Sequence, residues 1–242
     1  SGGDLIGGSY EWLFTSGSSS NAYGNKWSNV AVAMNTLQTY TKEGANNNSV
    51  TLADNKWYTV VWEDLGYADC HAIFMETSAQ PVTISSVSVP SNVVGNTAAD
   101  ITVSTSVAKS AEEIIYIRYT TNAWSTSAAI PVSMTGTSGT AQIPGQPAGT
   151  IVAYYAFSST VASLGSDYDL CTINLSNNSG SNYSYTVVAP SPSITWANLQ
   201  YPPSGAIETG QAYDVYGQVF IPGLTGQATV APGLQAWVGY ST

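Results

Sequence analysis

The sequence predicts an all-β fold of tandem β-sandwich modules, the last one incomplete. Three observations lead there. Apolar residues recur with a period of two along nearly every hydrophobic stretch. The stretches are short and separated by Gly, Asn, Ser and Pro clusters, as in sandwiches and barrels. No stretch keeps apolar residues at three-and-four spacing long enough for a core helix.

In chain order, Val30, Val32 and Met34 alternate with alanines, and Trp57 to Trp62 is a dense run of β-formers that ends at the turn-like Glu63 to Gly66. Ile101, Val103 and Val107 alternate with Thr and Ser; Ile115, Ile117 and Tyr119 share one face of the next segment, and Ile151, Ala153, Tyr155 and Phe157 one face of another. Tyr183, Tyr185 and Val187 follow, then Tyr213, Val215 and Val219. The one helical expectation is a turn near Ser110 to Glu113, capped by Ser110. Two seams divide the chain: Thr77 to Pro81 before the strand-like Val82 to Val89, and the stiff Pro-rich Val188 to Pro192. The expected modules are therefore residues 1–83, 84–188 and 193–242. The third has about 50 residues and three expected strands, Ile194 to Leu199, Ala212 to Phe220 and Leu234 to Tyr240, too few for a seven-strand sandwich.

Composition narrows the class. The 242 residues carry 15 acidic and 5 basic side chains, a net charge of -10, and only 8% charged residues, against roughly 25% in an average soluble protein. So few cations cannot neutralise a run of phosphates, which argues against nucleic acid and against a polybasic membrane anchor. No apolar run is long enough to span a bilayer as a helix. Ser, Thr and Asn make up about three residues in ten. With 16 tyrosines and 7 tryptophans, this fits an extracellular or cell-surface β-protein kept soluble by hydroxyls and amides. Ser1 is expected to lie after any signal-peptide cleavage.

Specific stretches resemble a known group. Ile115-Tyr-Ile-Arg-Tyr-Thr-Thr-Asn-Ala-Trp124-Ser-Thr-Ser127, with Ala141 to Pro144, Gly149 to Tyr155 and Asn182 to Thr186, is similar to modules that recur in large secreted proteins of Bacteroidota. In the third module, Trp196 to Pro202, Asp214 to Tyr216 and Gly233 to Ser241 resemble another tandem module of the same proteins, and Trp62 to Asp64 and Ala72 to Ala79 resemble segments of their first. The resemblance covers all three modules in patches. It implies immunoglobulin-like or jelly-roll sandwiches, sometimes appended to α-amylase-type enzymes, and export by the type IX secretion route. It implies no catalytic residues.

The chemistry-bearing residues are few. His71 is the only histidine, and as the strand neighbour of Cys70 it points to the opposite face, a poor nucleophile pair. The carboxylate pairs Glu63-Asp64 and Glu112-Glu113 diverge on strands and do not make the two-carboxylate site of a glycosidase. The chain is therefore not expected to be an enzyme. Calcium is the one cofactor considered, with Asp167 and Asp169 in one loop and Glu63, Asp64 and Asp69 in another as candidate ligands. Trp124, with Tyr119 and Asn122, is a candidate glycan platform, against the alternative of a core tryptophan. Trp12, Trp27, Trp57, Trp62, Trp196 and Trp237 read as core or interface residues. Cys70 and Cys171 are a candidate bridge between modules one and two, or else two separate buried thiols. Trp237, Val238 and Tyr240 form a candidate assembly edge.

The expectation is a non-catalytic structural or adhesive protein of the bacterial surface. Its partners would be neighbouring modules of a longer chain or other copies, joined into filaments by strand addition. The alternative is a carbohydrate-binding accessory region of a secreted glycoside hydrolase, whose partner is a glycan.

Overall fold

The computed structural model describes residues 5–16, 23–63, 66, 68–166, 168–202, 205–222, 224–226, 234 and 235. Among these residues there is no helix, and the strand-to-strand pairings are antiparallel. The chain divides into two compact units, 1–188 and 189–242.

The first unit holds both N-terminal modules, each with its own sheets. In the first module, β1 (Gly8–Trp12) pairs with β5 (Asn48–Leu52) as a two-stranded ribbon. The remaining strands are β2 (Phe14–Thr15), β3 (Lys26–Ser28), β4 (Gln38–Lys42), β6 (Trp57–Glu63) and β7 (Cys70–Thr77). They make a five-stranded sheet in the order β2-β3-β4-β7-β6. An aromatic cluster lies on one face of it: Phe14 stacks on Trp62 at 4.4 Å, and Trp12 sits 5.0 Å from Phe74 and 5.6 Å from Tyr40. Trp27 is fully buried and donates from its indole to Ala68 O at 2.7 Å. Of the tryptophans read as core, Trp12, Trp27 and Trp62 join this cluster. Trp57 lies partly exposed on β6, and Trp237 is outside the described residues.

The second module contains β8 (Ile84–Val87), β9 (Ala99–Thr105), β10 (Ile114–Thr120), β11 (Ala128–Pro131), β12 (Ser133–Thr135), β13 (Ser138–Ile143), β14 (Ile151–Ser159), β15 (Leu175–Ser176) and β16 (Tyr183–Thr186). One sheet runs β12-β13-β9-β8; the other runs β11-β10-β14-β15, with β16 also on β14. This is the D-E-B-A and C′-C-F-G arrangement of an immunoglobulin-type sandwich. The period of two does the sorting. Ile115 and Ile117 of β10 and Val152, Tyr154 and Ala156 of β14 face the core, against Ile101 and Val103 of β9 and Ile143 of β13. Tyr154 keeps its phenol satisfied in that core by donating to Ser88 O at 2.6 Å.

The intervening residues of β10 and β14 face outward, and a long connection folds over them. Leu164 and Tyr168 pack on Tyr116, Tyr155 and Phe157, and Tyr116 Oη donates to Val161 O at 2.9 Å. The same connection reaches the first module: Val161, Leu164, Cys171 and Ile173 pack on Ile73 and Met75 of β7. This interface carries polar ties as well. Asn35 Oδ1 accepts from Glu76 N and from Thr160 Oγ1, Lys56 lies between Glu76 and Glu112 at 3.5 and 3.7 Å, and Asn174 Nδ2 donates to Val82 O at 2.8 Å.

Several expectations are corrected. Cys70 and Cys171 do not form the expected bridge. Cys70 and Ala72 face the aromatic cluster, whereas Ile73 and Met75, on the other face of β7, meet Cys171, so strand alternation puts β7 itself between the two thiols. The turn at Ser110 to Glu113 is not helical, and Ser110 Oγ caps nothing among the described residues. Its two acids are drawn apart: Glu112 Oε2 accepts from Ser78 Oγ at 2.7 Å, while fully buried Glu113 accepts from Val82 N at 3.2 Å. Val30 to Met34 is no strand; Ala31 makes a single bridge to Ser49, and Asn29 and Asn35, both at positive φ, turn the chain on either side.

The second unit contains β17 (Trp196–Tyr201) and β18 (Tyr216–Phe220), paired from Trp196 with Phe220 to Tyr201 with Tyr216. Every residue of β17 is exposed, and Trp196, Leu199, Tyr216 and Phe220 are each about half exposed, so Trp196 is not a core residue here.

Glu113 generates a prediction about stability. Burial raises its carboxyl above the ordinary 4.5, with Val82 N and Lys109 pulling the other way. The folded state therefore holds this proton more tightly than the unfolded chain. The stability it contributes is full below pH 4.5 and is lost as pH rises through the folded value. Glu113→Gln keeps an acceptor for Val82 N without the charge. Urea unfolding at pH 4 and pH 8 is expected to show the variant gaining on the wild type at pH 8; an equal difference at both pH values would contradict this.

Candidate glycan-binding face

Two clefts in the first unit, among the described residues, are large enough for a ligand. One, of about 930 Å³, lies in the first module and is lined chiefly by apolar side chains, including Trp12, Val50, Leu52, Trp57, Val60 and Phe74. Its charged neighbours are engaged elsewhere: Glu11 accepts from Asn47, and Lys56 pairs with Glu76 and Glu112. The other, of about 510 Å³, lies on the outer face of the β10-β14 sheet and combines aromatic rings with varied polar groups.

The second cleft is built around Arg118, the only arginine of the chain. It occupies an outward position of β10, between the inward Ile117 and Tyr119, so the alternation that fills the core also presents the guanidinium to the outer face. Three rings surround it: its guanidinium carbon lies 4.1 Å from the Tyr168 centroid, 5.3 Å from Trp124 and 5.7 Å from Tyr155. Nε donates to Ser127 Oγ at 2.9 Å and Nη1 to Tyr155 Oη at 2.7 Å. Asp169 Oδ1 lies 3.9 Å from Nη1, its side chain almost wholly exposed. Burial holds the Tyr155 phenol above its usual value, although Arg118 pulls it down, so this hydroxyl is neutral and accepts from the arginine at neutral pH. Thr172, Leu175, Asn177 and Asn182 complete the cleft.

Trp124 owes its position to an over-determined loop. Buried Thr120, at the end of β10, accepts through Oγ1 from the backbone N–H groups of Asn122 at 3.2 Å and Trp124 at 3.1 Å, and donates to Thr126 O at 2.7 Å. Asn122 closes the loop: Oδ1 accepts from Thr126 N at 3.0 Å and Nδ2 donates to Thr126 Oγ1 at 2.9 Å. Ala123 and Trp124 both take positive φ, 53° and 68°, a conformation that non-glycine residues adopt only at a cost. That cost is met by the hydrogen bonds, and the result is an indole laid against the cleft, 5.4 Å from the Tyr155 ring.

The residues expected from the sequence separate here. Trp124 lines the cleft and, partly buried, also packs against the cluster of Tyr116, Tyr155 and Phe157 on the outer face of the sheet, so it is both a cleft residue and a packed one. Tyr119 packs against that core, on the other face of β10, and Asn122 spends its amide inside its own loop, so neither meets the cleft. Asp169, expected as a calcium ligand, is beside Arg118. Asp69 Oδ1 accepts from Lys42 N at 2.9 Å, and Glu63 meets His71 Nδ1 at 3.0 Å across the β6-β7 pair. Among the described residues no three Asp, Glu, His or Cys side chains gather as a metal site, and each expected calcium set includes one residue outside them. Asp64, Asp167 and the edge Trp237, Val238 and Tyr240 lie outside the described residues.

Arg118, Tyr155, Tyr168, Asn177 and Asn182 were not singled out from the sequence. One signal was available: a lone arginine interrupting a strand otherwise rich in Ile and Tyr is an outward position with a purpose. The Asn177 to Asn182 turn carries positive φ at Asn178, Ser179 and Asn182, and its shape follows from Asn177, whose carbonyl accepts from Asn182 N at 2.8 Å and whose side chain accepts from Gly180 N at 3.0 Å.

No protein-family model matches this chain, and no curated protein matches it significantly.

Thr120→Val tests the loop. The variant keeps the shape of the side chain and deprives the Asn122 and Trp124 N–H groups of their acceptor. It is expected to lose about 1–3 kcal/mol of stability, with a red shift and loss of anisotropy in tryptophan emission; an unchanged spectrum would refute the role given to Thr120.

Proposed function

We propose that the chain is a non-catalytic adhesive protein of the extracellular or cell-surface environment, and that it adheres by recognising a saccharide on the outer face of its second module. The observation that carries this reading is the cleft that Trp124 and Tyr155 line with Arg118, whose guanidinium Tyr168 backs, with Asp169, Asn177 and Asn182 also in its lining. A pyranose has apolar C–H faces, which suit aromatic rings, and a rim of hydroxyls that donate and accept together. Asn side chains do both, Arg donates and Asp accepts. The acids of the chain support a non-catalytic role, because those expected in pairs have structural work: Glu113 holds Val82 N, Glu112 holds Ser78, and Glu63 meets His71. Affinity electrophoresis and calorimetry with soluble polysaccharides test the reading. Trp124→Ala is expected to weaken binding about tenfold or more, equivalent to about 1.4 kcal/mol, with the fold intact by circular dichroism; unchanged affinity would reject the site.

A second reading, assembly through added strands, is favoured by the second unit. An isolated two-stranded sheet is marginal in water. The apolar side chains that β17 and β18 expose, with Ile194, Tyr213 and Val215 beside them, call for a cover such as a neighbouring module or another copy. Light scattering across a concentration series is expected to show self-association that Trp196→Ser with Phe220→Ser abolishes. A strictly monomeric chain at all concentrations would reject assembly between copies.

A further inference from the structure

We infer that the saccharide taken by this cleft is uncharged and engaged through a vicinal pair of hydroxyls, and that Asp169 is the residue that excludes acidic sugars. The inference rests on the glycan reading of the same cleft. A lone arginine lined by rings would, taken by itself, favour a carboxylate-bearing sugar through a two-pronged contact. Two features oppose that outcome.

First, the fork is already used on one side. Nε is committed to Ser127 Oγ and one N–H of Nη1 to Tyr155 Oη, at 2.9 and 2.7 Å, so the side of the fork that runs through Nε is closed to a two-pronged contact. The guanidinium carbon lies 4.1 Å from the Tyr168 ring centroid, with the Trp124 ring at 5.3 Å. What remains is the end of the fork, the second N–H of Nη1 with those of Nη2, and Asp169 stands beside that end.

Second, a carboxylate stands beside it. Asp169 Oδ1 is 3.9 Å from Nη1, and its side chain is almost fully exposed at the cleft mouth. The formal charges of the lining sum to zero, and the whole chain carries -10, so an incoming anion meets repulsion both at the mouth and from the protein at large. A neutral diol meets the opposite arrangement. One hydroxyl accepts from Arg118, its neighbour donates to Asp169, and Asn177 and Asn182 offer donors and acceptors to the rest of the rim.

The experiment titrates wild type, Asp169→Asn and Trp124→Ala with neutral hexaoses of glucose in α-1,4, β-1,4 and β-1,3 linkage and with hexagalacturonate, following tryptophan fluorescence and heat. Because Asp169 is exposed, the Asn variant is expected to fold as the wild type does. The wild type is expected to bind at least one neutral hexaose and not hexagalacturonate. Asp169→Asn is expected to gain affinity for hexagalacturonate about tenfold or more, with the gain shrinking as salt is raised, and Trp124→Ala to lose both. Wild type preferring hexagalacturonate, or Asp169→Asn leaving the preference unchanged, would overturn the inference while the glycan reading stands. Binding of no saccharide of either class would overturn that reading and the inference with it.

Discussion

β7 is the strand on which the first unit depends, because both of its faces are buried against different partners. Cys70 and Ala72 complete the aromatic core of the first module, and Ile73 and Met75 form the floor on which the second module rests. Ile73 and Met75 each contribute roughly 1.5–3 kcal/mol by leaving water. A strand buried on one face would have alternated apolar with polar residues. Cys70 to Met75 is instead nearly continuous in apolar character, with His71 the exception, as expected of a strand with no solvent face. This explains why two modules with separate sheets make one compact unit.

The connection between β14 and β15 carries that constraint to the cleft on the outer face of the second module. Its first turn and its end pack on β7, through Val161, Cys171 and Ile173, while Leu164 and Tyr168 cover the outward residues of β10 and β14. Asp169 and Thr172 of this segment line the cleft and Tyr168 lies against Arg118, and the segment is tied near its ends by Tyr116 to Val161 O and by Asn174 to Val82 O. The first module contributes no residue to the cleft, but through β7 it supports the segment that supplies Asp169 and Thr172. The loop of Trp124 is anchored separately, by Thr120 at the end of β10. The cleft is thus supported from two directions, a stiff arrangement that needs little ordering when a ligand enters.

What the sequence made legible follows from the range of the forces involved. The all-β class and the strands of the second module are set by local alternation, and Ile114–Thr120, Ile151–Ser159 and Tyr183–Thr186 all lie where the period of two puts them. Trp124 was legible as a loop aromatic for the same reason. Its neighbours were not: Tyr168 and Asp169 come to Arg118 across some fifty residues of chain, through the fold of a connection that has no periodicity to read. Tyr119 was misassigned because proximity in sequence to Trp124 counts for less than strand parity, which turns it to the core. The thiols illustrate the same limit, since two cysteines suggest a pair, and only the position of β7 between them keeps them apart.

The composition sharpens the meaning of Arg118. A chain rich in hydroxyls and amides carries five cations in all, and only one of them is arginine. If packing were the purpose, a methionine or leucine among Trp124, Tyr155 and Tyr168 would serve as well or better, because a half-buried charge must be compensated at every donor. Here it is compensated by Ser127, Tyr155 and Asp169, and the rings are drawn in around it. Ser127 and Tyr155 fix the guanidinium and the rings hold it face-on, so its direction is set before any ligand arrives. Tyr155 remains a neutral phenol because burial outweighs the pull of the arginine. Arg118 and Asp169 thus set a donor and an acceptor side by side in the cleft. In a protein whose own field repels anions, that pairing has a use for a ligand whose groups both give and take hydrogen bonds, and little for one that only accepts them.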